Sequence, residues 1–290
     1  MIRKFTVRNY KNFKETLVLD FGKVAGYKFN PECITDGVIS KCLLYGRNAT
    51  GKTNLGDALT DIFYIIIPRS NIYRNEKFLN ANSDEKYASF SYEFIFGKDK
   101  VCYEYKRNIK RDLVTEKLNI NDRDIFDINF VTGSFLSLEL ELINAETIQV
   151  DRYLETVRHE QIEMDDEDNT QVPFLRHILN NAALPPDSIL KKLEDFVKRM
   201  RISVVSTTIM KNNRLYVRFN EYLSKPDNLN YFEEFLNAMG IECKLATRES
   251  IDGQCELFFE HKTLIPFYEN ASSGTLTLLN FYRRLLAVDR

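Results

Sequence analysis

No run of about 18 apolar residues occurs anywhere in the 290-residue sequence, which argues against a membrane-spanning helix. The first residues, MIRKFTVRNYKNF, lack the apolar core of a secretory signal, so the cytosol is the expected location. Neither sign of charge is in excess: 40 Lys and Arg stand against 42 Asp and Glu, for a formal net charge of −2. That balance gives no global attraction to nucleic acid, although a local basic face remains compatible with it. The five cysteines (Cys33, Cys42, Cys102, Cys243 and Cys255) contain no CxxC pair. They read as reduced, mostly buried thiols, neither a disulfide framework nor a zinc site. The three histidines, His159, His177 and His261, are scattered and read as structural or solvated residues, not as a metal centre. No internal repeat, low-complexity tract or flexible linker divides the chain.

What is present is a soluble globular composition, 44% hydrophobic and 28% charged, long enough for one large domain or two smaller ones. Residues 2–7 and 15–21 are rich in β-formers and flank a polar turn, which predicts an N-terminal hairpin. Residues 38–45 (VISKCLLY) predict a strand and 52–67 a helix stopped by Pro68. After a polar loop, residues 87–96, 100–108 and 113–120 predict a β meander with turns at 97–99 and 110–112. Residues 135–181 read as mostly helical. Their acidic run EQIEMDDEDN (160–169) has no regular ligand spacing and reads as a solvated loop or helix end before a metal site. A further helix follows Pro185 and Pro186, with Asp187 as its expected N-cap and Leu190, Leu193, Phe196, Val197 and Met200 as its apolar stripe. Its cations, Lys191, Lys192, Lys198, Arg199 and Arg201, suit either a wet helix face or phosphate contact. Strands are expected at 202–208, 214–219, 241–247, 255–260 and 263–266, and a helix at 228–239 closed by Gly240. The organisation expected is one α/β head: residues 1–132 with the glycine loop and meander, a helical insertion at 133–201, and a second β region with a terminal helix at 202–290.

The chemistry lies in LLYGRNATGKTNLGDAL. Gly46, Arg47, Asn48, Ala49, Thr50, Gly51, Lys52 and Thr53 satisfy G-x-x-x-x-G-K-[ST] at every fixed position, followed by Asn54, between an expected strand and an expected helix. Each part has a physical task. The glycines let backbone N–H groups turn inward around a β-phosphate, and the helix N-terminus adds its positive end. Lys52 reaches the β- and γ-phosphates, and the Thr53 hydroxyl ligates Mg²⁺. ATP and Mg²⁺ are therefore the expected cofactors. An ordinary glycine turn between strand and helix would not need Lys52 and Thr53.

Far downstream, YENASSGTLTLLNFYRRLLAVDR places a small polar turn (270–275) before an amphipathic helix with Leu276, Leu279, Leu285 and Leu286. Such a turn is either an ordinary N-cap or a second anion site. In combination, the aromatic-basic start FTVRNYKNFKETLVLDF, the glycine loop with Asn48 and the turn ENASSGT resemble the SMC/ABC-like ATPases, specifically the stand-alone bacterial AAA-family ATPases related to OLD proteins. The first stretch is similar to that family's N-F-K-S-F hairpin, and the third to its E-S-S-G-T form of the ABC signature. The resemblance implies a P-loop head of ABC/SMC type with an N-terminal antiparallel β subdomain and a helical insertion. It also implies a homodimer sandwiching two ATP molecules. Ser273, Gly274 and Thr275 would face the partner's γ-phosphate, and Lys11 and Asn12 would lie near the nucleotide of their own subunit. The family role is a switch paired with a nuclease or toxin effector, often in bacterial defence.

Other family elements are missing. No apolar strand ending in Asp-Glu follows Thr53, Gln149 is the nearest candidate for the expected loop glutamine, and no switch histidine is assignable. The expectation is a shortened chain, or the N-terminal part of a longer one, that binds Mg·ATP but hydrolyses it poorly. Two other classes stand beside it. A DNA-repair or chromosome-type clamp would need a nucleic-acid face, and a P-loop kinase or GTPase would need a second substrate pocket or an N/T-K-x-D motif, which does not occur.

Overall fold

The structure, a computed structural model, describes residues 1–26, 28–46, 50–67, 78–110, 112–162, 171–200, 214–250 and 253–288. The chain divides into two compact units, Met1–Ile202 and Ser203–Arg290. It is a mixed α/β protein whose main sheet is antiparallel.

In the first unit, β1 (Ile2–Arg8) and β2 (Leu17–Asp20) form the N-terminal hairpin, and β3 (Ile34–Thr35) and β4 (Val38–Ile39) form a small separate ribbon. Helix α1 spans Lys52–Ile66. The meander continues as β5 (Tyr87–Phe96), β6 (Asp99–Asn108), β7 (Leu113–Ile120), β8 (Arg123–Asn129) and β9 (Ser134–Leu138). The seven strands lie in the order β2-β1-β5-β6-β7-β8-β9, and every neighbouring pair is antiparallel. Period-two alternation explains one covered face. Phe5 and Val7, then Phe90, Tyr92 and Phe94, then Val101, Tyr103 and Tyr105 all point into one core. Helices α2 (Val150–Ile162), α3 (Phe174–Asn181) and α4 (Ile189–Arg199) add Tyr153, Val157, Phe174, Ile178, Leu190, Leu193 and Val197 to that core, as α1 adds Ile62 and Ile66.

Buried polar contacts fix the helices on the sheet. Asp61 of α1 accepts from Arg107 Nη1 at 2.8 Å and from the Tyr105 hydroxyl at 2.8 Å, and the Tyr92 hydroxyl donates to the Ala58 carbonyl at 2.9 Å. Burial pulls the Arg107 guanidinium down, but Asp61 together with Tyr105 and Tyr10 more than offsets it and the group ends above its ordinary range. Arg176 of α3 donates to the carbonyls of Tyr64 (2.6 Å) and Ile66 (3.1 Å), which serves the C-terminal end of α1. The N-terminus of α3 is served from the sheet: Glu116 on β7 accepts from the Phe174 and Leu175 N–H groups at 2.7 and 2.9 Å, and from the Tyr103 hydroxyl at 2.8 Å.

The second unit contains α5 (Arg214–Leu223), α6 (Pro226–Ala238), β10 (Leu245–Glu249), β11 (Cys255–Glu260), β12 (Leu264–Pro266), α7 (Phe267–Asn270) and α8 (Ser273–Val288). The strands form an antiparallel sheet in the order β10-β11-β12. Phe219, Phe232, Leu236, Leu257, Phe267, Leu279 and Tyr282 make its core.

Several expectations need correcting. The strand expected over 38–45 pairs only at Val38–Ile39, and residues 41–46 lie exposed, with Leu43 86% and Tyr45 85% accessible. A buried apolar strand needs paired neighbours, and no described strand pairs with residues 41–46. Among the described residues there is accordingly no parallel strand pair, so a parallel P-loop sheet does not form among them. Residues 134–138, expected to be helical, form β9, because Gly133 at φ +61° turns the chain back onto β8. Residues 214–219 are helical, not extended. Tyr216, Phe219 and Leu223 fall three and four apart and reach one core, a spacing that aromatic and β-branched content obscured. Ser188, not Asp187, caps α4, accepting from the Lys191 N–H at 3.4 Å. The strand expected at 202–208 and most of the acidic run lie outside the described residues.

Candidate phosphate-binding loop

The glycine loop ends in a backbone conformation that its sequence explains. Gly51 sits at φ +93°, a left-handed position that glycine takes without a Cβ penalty, and its carbonyl accepts from the Leu55 N–H at 2.9 Å to start α1. No side chain caps this helix and its first turn carries no acid, so its positive end is not neutralised locally. Lys52 Nζ donates to the Gly46 carbonyl at 2.8 Å. Thr53, the second residue of α1, is exposed. Thr50 sits beside Gly46, where an added Cβ would come within 3.4 Å of its Oγ1. Arg47, Asn48 and Ala49 lie outside the described residues.

The hairpin turn after β1 reaches this loop. A Cβ placed on Gly51 would meet Asn12 Cβ at 3.3 Å and Phe13 Cζ at 3.4 Å, a tight fit added to the strain of its φ. Asn54 Nδ2 donates to Asn12 Oδ1, and Lys11 Nζ pairs with Asp57 at 3.1 Å. The structure thus brings Lys11, Asn12, Gly46, Gly51, Lys52 and Asn54 together within one unit. It adds two residues that the sequence reading did not single out, Phe13 and Asp57. Asp57 stands four residues after Thr53, one turn along the same face, and that spacing is a visible signal.

The described residues suit a nucleotide phosphate in two respects: a lysine ammonium at the Gly46 carbonyl, and a helix start with no acid in its first turn. A bound Mg²⁺ would have the Thr53 hydroxyl as its protein ligand. Among the described residues, no group of three His, Cys, Asp or Glu is placed to hold a metal ion. The two carboxylates nearest along α1 are engaged, Asp57 by Lys11 and Asp61 by Arg107.

The signature-like turn lies in the other unit and is described by itself. Ser272 Oγ accepts from the Thr275 N–H at 3.1 Å and lies 2.9 Å from Thr275 Oγ1, which makes Ser272 the N-cap of α8. Ser273 opens the helix, Gly274 is exposed, and Thr275 is 5% exposed with its side chain turned into the unit.

The α4 cations are partly neutralised, because Lys191 and Lys198 both pair with Glu194, at 2.9 and 2.6 Å. The outer face of the main sheet mixes signs in the same way. Lys117 pairs with Asp124 and Asp127, Arg8 with Glu85, and Lys100 with Asp122. Among the described residues no helix is long and apolar enough to cross a membrane. No protein-family model matches the chain, and no curated protein is found similar to it.

Proposed function

We propose that the chain binds Mg·ATP at residues 46–53 and acts as a nucleotide-controlled switch, two copies pairing head to head when ATP is bound. The observation that carries this reading is Lys52. Its ammonium donates to the Gly46 carbonyl at 2.8 Å, at the start of a helix whose first turn has no acid. Phosphate oxygens would form charge-assisted hydrogen bonds with that ammonium. Thr53 would hold Mg²⁺. Lys11 and Asn12 border the loop from the hairpin, and Ser273, Gly274 and Thr275 would meet the γ-phosphate held by a second copy. Poor hydrolysis accords with the engagement of Asp57 and Asp61 by cations of their own unit. The role of the switch, control of a nuclease or toxin effector in bacterial defence, rests on the sequence resemblance alone.

The alternative, a clamp on nucleic acid, has less support. Lys191 and Lys198 of α4, and Lys117 and Lys100 of the main sheet, are paired with carboxylates, which lowers the attraction for a phosphate backbone. Native mass spectrometry with and without Mg·ATP tests the switch. Two chains carrying two nucleotides are expected with ATP and single chains without it. Single chains that each hold one nucleotide would leave a binding module and remove the pairing.

A further inference from the structure

The turn that carries Lys11 and Asn12 to the glycine loop holds Lys11 in a conformation that a lysine does not favour. Asn9 and Lys11 both have positive φ, 53° and 43°. Asparagine adopts such angles readily, but lysine does so mainly where its surroundings enforce them, and enforced strain concentrates at functional sites. The turn is closed by its own pair of hydrogen bonds, Tyr10 N–H to the Phe13 carbonyl at 2.9 Å and Phe13 N–H to the Tyr10 carbonyl at 2.7 Å, and it is braced by the segment that follows residue 77. Lys11 N–H donates to the Phe78 carbonyl at 2.7 Å, and the Lys11 carbonyl accepts from Asn80 Nδ2 at 2.6 Å. Both backbone groups of Lys11 are therefore tied to residues 78–80. Asn80 is itself buried, and its Oδ1 accepts from the Asn82 N–H at 2.9 Å. From the other side, the fully buried Asn9 donates to the Glu85 and Tyr87 carbonyls at 2.9 and 2.8 Å. The turn held in this way makes the contacts with α1 already described, Asn12 with Gly51 and Asn54, and Lys11 with Asp57.

We propose that Asn80 is a positioning residue for nucleotide binding: by fixing the backbone of Lys11 it sets where the Lys11 ammonium and the Asn12 amide meet the glycine loop. This inference rests on the nucleotide reading given above. Asn80 acts through the turn, since its amide group is committed to the Lys11 carbonyl and the Asn82 N–H. Releasing that carbonyl removes one of the restraints on the Lys11 backbone and lets Asn12 shift against Gly51.

Two variants separate this role from simple stability. Asn80→Asp keeps the size and the acceptor for Asn82 but replaces the donor to Lys11 with a carboxylate oxygen. Asn80→Ala removes both. Each is measured for Mg·ATP affinity by calorimetry and for melting temperature, alone and in a Lys11→Ala/Asn12→Ala background. The loss of one hydrogen bond at a strained turn is expected to weaken ATP binding about tenfold in either variant, with native far-UV circular dichroism retained. In the Lys11→Ala/Asn12→Ala background the same changes are expected to cost less than about twofold, because the groups they position are gone. Should Asn80→Ala fail to fold, the isosteric Asn80→Asp carries the test. Affinity within about twofold of wild type in a folded variant overturns the inference and leaves the nucleotide reading standing. A loss undiminished in the background overturns it equally. A wild-type chain that binds no Mg·ATP overturns the nucleotide reading and this inference together.

Discussion

Glu116 is the buried acid on which the fold of the first unit depends most clearly. It is fully buried on β7 and serves the start of α3, which in turn serves the end of α1 through Arg176. Burial pushes its carboxyl up to about 7, against the pull of the Leu175 and Phe174 N–H groups, the Tyr103 hydroxyl and Arg176. An acid raised in the folded state keeps a proton that the unfolded chain has released. The folded state therefore binds more protons between the ordinary value of 4.5 and about 7, and stability falls as pH rises through that window. At about 1.4 kcal/mol per pH unit, the gap amounts to roughly 3 kcal/mol from this one group. Glu116→Gln removes the titration and also puts an NH₂ where an acceptor stood, which costs about 1–3 kcal/mol at all pH values. The assay is urea denaturation of both proteins between pH 4.5 and 8.5, followed by far-UV circular dichroism because the chain has no tryptophan. The stability difference, wild type minus variant, is expected to shrink with rising pH up to about 7 and then level off. A difference independent of pH would refute the reasoning. A difference that grows with pH would show that the three donors outweigh burial and hold Glu116 ionised.

Three further perturbations follow from the packing. Arg107→Ala leaves Asp61 buried without its cation and is expected to cost about 3–5 kcal/mol, read as a lower urea midpoint for the first unit. Gly51→Ala forces a side chain into a left-handed position against Asn12 and Phe13, which is expected to cost about 1–3 kcal/mol and to weaken ATP binding together with melting temperature. Phe232→Ala opens a cavity among Phe219, Phe267 and Tyr282 and is expected to cost about 3–5 kcal/mol, with hydrogen-exchange protection lost in residues 214–288.

Local signals in the sequence carried the elements that local physics decides. Helix α1 was legible from its apolar period and the Pro68 stop, β5 to β7 from their alternation and turns, and the end of α6 from Gly240, which sits at φ +83°. Elements decided by distant partners were not legible. Residues 40–45 look like a strand in isolation, yet strand formation needs a neighbour that no local pattern supplies. Strand β9 depends on its ladder with β8, and α5 on the core of its own unit. The start of α1 after Gly51 was legible because a left-handed turn favours glycine. The clamp that Phe78 and Asn80 place on Lys11 was not, since two asparagine-rich turns about 70 residues apart give no sign that they will meet.

The central claim is that residues 46–53 bind ATP, and equilibrium binding of Mg·ATP to wild type and Lys52→Ala tests it most directly. Saturable binding of one nucleotide per wild-type chain, weakened at least about tenfold by Lys52→Ala while the fold is retained, is the expected result. No wild-type binding, or equal binding by the two proteins, would contradict it.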